Sequence, residues 1–226
     1  MPGRTLPLVT DKIYHIFNRG IAAQLIFSGN RDYQRAIDTI FYYVTENPPL
    51  RYSFFLRLSY DQKQEFLRQL DRKEDYLIDI IAYCLMPNHI HLLVKQLKDK
   101  GISTYMSKVS NSYTKYFNTK RKRSGPVLQG KFKAVRIETD EQLLHVSRYI
   151  HLNPYTSYIV KSLKELVTYP QSSFSEYLNV RRSHGCNKAI ILDHFQNPSD
   201  YRKFVFNQAE YQRELEYIKH LTLEDR

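Results

Sequence analysis

The sequence predicts an α+β fold in which helices cover an antiparallel sheet. Segments with the apolar patterns of buried strands alternate along the chain with segments whose apolar residues recur at helical spacing. Together they give the order β-α-β-β-α-β-α. The first six elements match the split βαβ pattern of ferredoxin-like and RRM-like domains, whose helices lie on one face of the sheet. A further helix follows the last strand, and the other face of the sheet is left for it.

The first part of the chain supplies a strand, a helix and an insertion. Residues 12–18 alternate apolar and polar in part and predict the first strand. Residues 21–27 are expected to form a second short strand or to extend a hairpin. Apolar residues at helical spacing predict a helix from residue 30 or 31 to residue 44. Residues 47–76 are interpreted as a partly helical insertion, with its helix between Ser59 and Leu70.

Two buried strands and a second pair of helices follow. Residues 78–85 and 89–94 are apolar runs joined by a turn at Pro87-Asn88. An amphipathic helix is expected at residues 101–118, then a basic loop and a strand within residues 132–137. The next helix should begin at Thr139 or Asp140 and end near Pro154. The chain is therefore divided into a domain of residues 1–158 and residues 159–226, a linker with a small helical extension. The clearest helical stretch of that extension is residues 199–220.

Composition favours a nucleic-acid partner. The 34 Lys and Arg residues exceed the 23 Asp and Glu residues, which gives a net charge of +11. Aromatic side chains are also frequent, with 19 Tyr and 12 Phe, and such rings can stack on unpaired bases. No apolar run approaches the ~20 residues that span a bilayer, and the two cysteines form no disulfide framework. We therefore expect no membrane association and a cytoplasmic protein, associated with the nucleoid in a prokaryote.

Two histidines on one predicted strand form half of a metal site. Side chains alternate along a strand, so His89 and His91 point to the same face while Ile90 points to the other. Two imidazoles on one face can bind a divalent ion. From this stretch alone, two satisfied core or surface histidines explain the pattern equally well.

The helix after the last strand carries residues that complete such a site. Tyr149 and Asn153 are four residues apart, so they share a helical face. If that face packs on the sheet, Tyr149 presents its hydroxyl beside His89 and His91, and Asn153 offers an oxygen ligand. Imidazole nitrogens with an amide oxygen suit Mg²⁺ or Mn²⁺ better than a structural zinc. The metal would polarise a phosphate, and the tyrosine would attack phosphorus and form a covalent bond.

Other residues compete for these roles or extend the site. Tyr113 and Tyr116 are rival nucleophiles on spacing grounds, although DNA contact or packing explains them better. His15 and His151 are not expected to be metal ligands. The basic residues expected to contact DNA are Arg19, Lys115, Lys120, Arg121, Lys122, Arg123, Lys131, Lys133 and Arg136. Lys131, Lys133 and Arg136 are expected on one face of the last strand, and the basic loop could instead be only a solvated surface.

Five segments in order resemble a known family, over roughly residues 11–158. They are residues 14–20 (YHIFNRG), 83–93 (YCLMPNHIHLL), 113–118 (YTKYFN), 129–133 (QGKFK) and 148–154 (RYIHLNP). In these segments the chain resembles the single-tyrosine HUH transposases, and within them the REP-associated tyrosine transposases. A lone His-x-His would be a weak signal, but these segments in this order are specific.

The resemblance implies a function and a set of site residues. It implies that His89 and His91 are the HUH ligands and that Tyr149 is the nucleophile. Asn153 stands where related enzymes often carry Gln. The implied activity is metal-dependent cleavage and rejoining of single-stranded DNA at hairpin-forming, palindromic repeats through a 5′-phosphotyrosine intermediate. A homodimer is a further expectation, alongside a monomer.

Two alternatives stay open on the sequence alone. The chain could be a ferredoxin-like module that binds structured DNA or RNA without chemistry, in which case Tyr149 would be dispensable. It could also be a metal-dependent hydrolase that uses activated water. The hydrolase would release product without forming a protein–DNA adduct.

Overall fold

The computed structural model describes residues 7–70 and 73–215. The strands are β1 (Ile13–Arg19), β2 (Ile78–Met86), β3 (His89–Gln96) and β4 (Lys133–Ile137). The helices of the core are α1 (Asn30–Tyr42), α4 (Gly101–Lys120) and α5 (Asp140–Thr156), with α2 (Tyr52–Phe55) and α3 (Tyr60–Leu70) in the insertion. Further helices follow: α6 (Leu163–Val167), α7 (Phe174–Tyr177), α8 (Ala189–Leu192) and α9 (Pro198–Phe206), and residues 209–215 are also helical.

The described strands form one antiparallel sheet in the order β2-β3-β1-β4. The two central strands are β1 and β3, and the hairpin of β2 and β3 turns at Pro87-Asn88 as predicted. The structure therefore confirms an α+β fold with a four-stranded antiparallel sheet and helices. Directly paired residues share a face, so the register fixes which side chains meet on each side.

The helices divide between the two faces of the sheet. On one face, α1 and α4 pack over the even-numbered residues of β1, and a large apolar cluster includes Tyr14, Ile16, Ile90 and Leu92. On the other face, α5 packs mainly over β2. Burial of these apolar surfaces is the main force that holds the three layers together. The helices between the strands thus share one face, as expected, and the helix after the last strand covers the other.

Two local expectations differ from the structure. Residues 21–27 form no strand: residues 21–23 make a short 3₁₀ turn, and the backbone N–H groups of Ile26 and Phe27 donate to the Pro87 carbonyl. This segment wraps around the β2–β3 turn. Its backbone N–H groups therefore find hydrogen-bond partners without strand pairing. Helix α5 also continues through Pro154 to Thr156. A proline so near the helix end removes only one hydrogen bond of the last turn.

The segment after residue 158 packs on the same face of the sheet as α5. Tyr169, Phe174 and Tyr177 join the apolar cluster formed by β2 and α5. The backbone also pairs with the outer edge of β2: Leu85 N–H donates to the Gln171 carbonyl, and Ser173 N–H donates to the Tyr83 carbonyl. The boundary at residue 158 stays a prediction, because side chains on both of its sides share one core.

The predicted helix at residues 199–220 is broken in two. Helix α9 ends at Phe206, and residues 209–215 are helical again. The rest of that prediction lies outside the described residues. Within residues 7–70 and 73–215, no helix is both long and apolar enough to cross a membrane.

Candidate active site

The two histidines of β3 lie on the face of the sheet that α5 covers. His91 pairs with Phe17 of β1 and with Cys84 of β2, and His89 pairs with Arg19. The ring centroids of His89 and His91 are 4.9 Å apart and nearly perpendicular. His91 is buried and His89 is partly exposed. One imidazole is thus enclosed by the sheet, and the other lies toward the β2–β3 turn.

Burial determines the charge of the His91 imidazole, and the neighbouring His15 ring determines its hydrogen bonding. Burial, followed by the nearby His89 and His15, lowers the pKa of His91 well below 6.5. The imidazole is therefore neutral at physiological pH. His91 Nδ1 lies 2.9 Å from His15 Nε2, at hydrogen-bond distance. Its other nitrogen, Nε2, is buried and has no hydrogen-bond partner among the described residues.

Tyr149 projects from α5 toward these rings. Its ring centroid is 5.6 Å from that of His91 and 6.0 Å from that of His15, edge-on in both pairs. The helix is fixed by a Thr139 side-chain cap at its start and by Ile150, which is fully buried. Tyr149 itself keeps 38% of its surface exposed. It therefore combines contact with His91 and His15 and access from solvent.

Asn153 lies one turn further along the same helix and is buried. Its side-chain Nδ2 donates to the Tyr149 carbonyl at 3.1 Å. That bond uses the amide nitrogen and leaves the side-chain oxygen for other partners. Asn153 thus packs against the backbone that carries Tyr149.

His89, His91 and Asn153 could bind a divalent ion, but they would supply only some of its ligands. Among the described residues, no group of three or more His, Cys, Asp or Glu side chains is arranged to hold a metal ion. The orphaned Nε2 of His91 is the observation that favours a ligand, because a neutral imidazole nitrogen without a partner is a metal donor. With His89 and the amide oxygen of Asn153, it would leave several positions to water or substrate, as Mg²⁺ prefers.

Three predicted DNA contacts lie around this site. Arg19 is exposed and pairs with His89, so both lie on the histidine face. Lys133 is exposed on the edge strand β4, with its Nζ 5.9 Å from the centroid of the Phe17 ring. Lys131 is exposed just before β4. These cations border the face that carries His89 and His91.

The expectation that Arg136 shares a face with Lys133 is wrong. Arg136 pairs with Tyr14, whose ring lies in the cluster under α1 and α4, whereas Lys133 pairs with Phe17. Residues separated by an odd number point to opposite faces of a strand. Arg136 is also paired with Glu138 at 3.1 Å.

The basic loop has partners within the chain. Asp32 is fully buried and accepts from the side chain of Lys120, and an Arg121 nitrogen lies 3.6 Å from it. Burial alone would raise the pKa of Asp32, but hydrogen bonds from Lys120 and Tyr116 outweigh it and lower that pKa. Lys120 and Arg121 are thus tied to a carboxylate as well as exposed to solvent.

Lys122 and Arg123, the other cations of the basic loop, lie near the end of the sheet that carries His89 and His91. Arg123 donates to Gln24 and to the Pro126 carbonyl, and Lys122 is exposed. Gln24 belongs to the segment that wraps the turn before His89. The loop and the histidine pair therefore lie at the same end of the sheet. Lys115 is exposed on α4, the helix that packs on the opposite face.

The rival tyrosines have packing roles. Tyr113 is buried, its hydroxyl donates to the Ile26 carbonyl at 2.6 Å, and burial raises its pKa. Tyr116 donates to Asp32 at 2.8 Å. Both lie on the α4 side of the sheet, away from the histidine pair.

The two other histidines differ in their relation to the site. His151 is buried between Tyr201 and Ser173 and hydrogen-bonds to both, so it faces away as expected. His15 contacts His91 directly, and burial lowers the pKa of His15 to about 4. Its position on the same face of β1 as Phe17 follows from strand alternation. Its distance from His91 depends on the strand register, which the sequence pattern did not supply.

A family of known proteins matches the part of the chain that carries this candidate site. Residues 49–153 match the family model described as "Transposase IS200 like", and this range contains His89, His91, Tyr149 and Asn153. Over this segment the chain is similar to the IS200-like Y1 transposases, a family of tyrosine transposases with the HUH motif whose members are enzymes.

A solved structure is similar in fold. It is described as "Structure of the REP associates tyrosine transposase bound to a REP hairpin". The similarity covers 79% of this chain and 86% of that chain, with a TM-score of 0.55 and 15% identity. At this identity the match supports the fold. No curated protein matches the chain in sequence.

Proposed function

We propose that this chain is a metal-dependent transposase of the REP-associated branch, built on a ferredoxin-like split βαβ core. It cleaves and rejoins single-stranded DNA at hairpin-forming repeats through a covalent 5′-phosphotyrosine intermediate on Tyr149. The observation that carries the proposal is the position of the Tyr149 ring, 5.6 Å from the ring of His91 in the same chain. A partly exposed tyrosine beside a buried, unpartnered imidazole nitrogen combines a nucleophile with a ligand for a divalent ion.

The chemistry follows from the reacting groups. Tyr149 loses its proton, and its Oη attacks the phosphorus of the scissile phosphodiester. The bond between phosphorus and the 3′-oxygen breaks, and the released 3′-oxygen takes up a proton. The new phosphodiester joins Tyr149 to the 5′ end of the downstream strand. Because the number of phosphodiester bonds is unchanged, a 3′-hydroxyl can later attack the same phosphorus, release Tyr149 and rejoin DNA.

The residues around Tyr149 have distinct parts in this scheme. His89 and His91, with Asn153 as the third candidate, would hold Mg²⁺ or Mn²⁺. The bound ion would polarise the phosphate and screen its charge. A free tyrosine has a pKa of about 10, so it needs such help to ionise near neutral pH.

The surrounding cations would bind the DNA backbone. Arg19 and Lys133 border the histidine face, and with Lys131, just before β4, they would contact the unpaired strand at the cleavage point. The basic loop, residues 119–125, lies at the same end of the sheet and would contact the adjoining duplex. Lys115 would contribute from α4, the helix on the opposite face of the sheet.

The substrate class comes from the structural relative. That protein is bound to a REP hairpin, and its fold is shared over most of both chains. A hairpin next to an unpaired segment suits a cationic loop beside a cationic sheet edge. Because Tyr149 and the histidines lie together in one chain, a complete site needs no second copy. A homodimer would therefore act in strand exchange rather than in assembly of the site.

A covalent adduct tests the proposal. The protein is incubated with Mg²⁺ or Mn²⁺ and with single strands that carry the hairpin repeats flanking its gene, labelled at the 3′ end. We expect the label to migrate with the denatured protein. Tyr149→Phe should abolish the adduct while it retains DNA binding, and Tyr113→Phe should form it.

Each of the other possible outcomes would support a different hypothesis. Label that moves with the protein from a 5′-labelled strand instead would show the opposite polarity and refute the proposed intermediate. Cleaved product without an adduct would indicate attack by water. Binding of the hairpin by wild type and by Tyr149→Phe, with no cleavage by either, would indicate a binding module.

A further inference from the structure

We propose that His15 is a positioning residue for the metal site, which accepts a hydrogen bond from Nδ1 of His91 and thereby presents Nε2 of His91 to the divalent ion. This inference rests on the proposed function, because it assumes a metal on the histidine pair. It assigns a role to a strand β1 residue that lies outside the family match at residues 49–153.

The geometry of the two rings carries the inference. His15 Nε2 lies 2.9 Å from His91 Nδ1. The rings stack with centroids 5.1 Å apart and an interplanar angle of 21°. His15 is the diagonal cross-strand neighbour of His91, because Phe17 is paired with His91 and His15 with Leu93. Two rigid central strands therefore set the distance.

Only one arrangement of protons leaves His91 able to bind a metal. A hydrogen bond between the two nitrogens needs one donor and one acceptor. If His91 Nδ1 carries the proton, Nε2 has a free lone pair. If His15 Nε2 carries it instead, neutral His91 must hold its proton on Nε2, which is buried without a partner. A buried N–H donor without a partner costs about 1–3 kcal/mol.

His15 is enclosed well enough to hold this position. It is 9% exposed, and it also contacts the rings of Phe17 and Tyr149, with centroids 5.2 and 6.0 Å away. The same ring thus touches the inner histidine and the candidate nucleophile. Metal-bound histidines commonly donate their second N–H to a carboxylate, a backbone carbonyl or a water, which fixes the ring and its tautomer; here the acceptor is the His15 ring.

Two substitutions separate hydrogen bonding from packing. His15→Phe keeps a ring for stacking but removes the acceptor. His15→Gln removes the ring but places an amide oxygen near the position of Nε2. Mn²⁺ binding by the full chain without DNA, followed by the electron paramagnetic resonance of free Mn²⁺, gives the readout. We expect His15→Phe to weaken binding about 10–100-fold and His15→Gln to recover most of the wild-type affinity.

Several results would overturn the inference. Wild-type affinity in His15→Phe would show that the acceptor is not needed, and equal losses in both variants would indicate packing alone. Imidazole ¹⁵N spectra of the metal-free wild type provide a test that needs no variant: we expect the proton of His91 on Nδ1, and a proton on Nε2 refutes the assignment. A wild-type protein that binds no Mn²⁺ would instead refute the metal in the proposed function, and the same spectra would still decide whether His15 accepts the hydrogen bond of His91.

Discussion

Replacing Glu176 by Gln should weaken the attachment of the C-terminal segment to the sheet. Glu176 lies in α7 and is fully buried. Its carboxylate accepts from Tyr83 of β2 at 2.7 Å, and Arg181 and His184 contact the same oxygen at 3.1 and 2.8 Å. Gln keeps the size of the side chain and removes the charge. The substitution therefore isolates the electrostatic part of the interaction.

The pKa of Glu176 sets the expected magnitude. Burial alone would raise that pKa, but hydrogen bonds from His184, Tyr83 and Arg181 outweigh it and lower the pKa from 4.5 to about 2. Taken in full, this difference is worth about 3 kcal/mol at 1.36 kcal/mol per pH unit. Arg181 and His184 are 29% and 27% exposed, so solvent screens part of their attraction. We expect about 2 kcal/mol of lost stability at pH 7.

The pH dependence follows from the sign of the change. A carboxyl group whose pKa is lower in the folded state stabilises the protein above its unfolded pKa, and this contribution is lost as the pH falls toward the folded value. The difference between wild type and Glu176→Gln should thus be full above pH 4.5 and shrink from there toward pH 2. Unfolding in urea, measured at several pH values, gives that difference.

A control variant makes the result specific. Glu138 forms an ion pair with Arg136 on the surface, and its side chain is 54% exposed. Glu138→Gln should change the free energy of unfolding by less than about 1 kcal/mol at every pH. Equal stability of Glu176→Gln and wild type at pH 7 would refute the reasoning, as would a difference that does not change with pH.

Two further predictions concern charged residues at or beneath the proposed DNA-binding surface. Lys133→Ala should weaken binding of single-stranded DNA and reduce the slope of log K against log salt by about 0.7; Arg136→Ala, on the opposite face, is the comparison, and an equal effect would contradict the strand register. Asp32→Asn should lower the free energy of unfolding by about 2 kcal/mol, because Lys120 and Arg121 lose their buried anion. An unchanged urea transition would argue against that role.

Much of the fold and the outline of the site could be predicted from local periodicity. The alternation of β3 places His89 and His91 on one face, and the helical spacing of α5 places Tyr149 one turn before Asn153. The order of the elements then brings α5 onto the histidine face. Strand alternation alone also separates Arg136 from Lys133, so their opposite faces are predictable from the sequence.

Other features depend on tertiary contacts that no local pattern contains. His15 lies beside His91 because of the pairing of β1 with β3, and sequence spacing cannot fix that register. Asp32 is on α1, far along the chain from Lys120 and Arg121, yet it accepts a hydrogen bond from Lys120 and forms an ion pair with Arg121. Only the folded structure shows that Lys120 and Arg121, which the sequence predicts as phosphate contacts, also pair with the buried Asp32 carboxylate.

The backbone pairing of β2 with residues 171–173 has a consequence for how the chain folds. The Tyr83 N–H donates to the side chain of Ser173, 90 positions later in the sequence. During synthesis β2 leaves the ribosome long before this partner. Its edge and the apolar side chains beneath α5 therefore stay uncovered until the last quarter of the chain has been made. Contacts of such long range slow folding, and an open strand edge can pair with other chains in the interval. Emergence of residues 171–173 from the ribosome, rather than formation of the sheet, is then the step that closes this edge of β2.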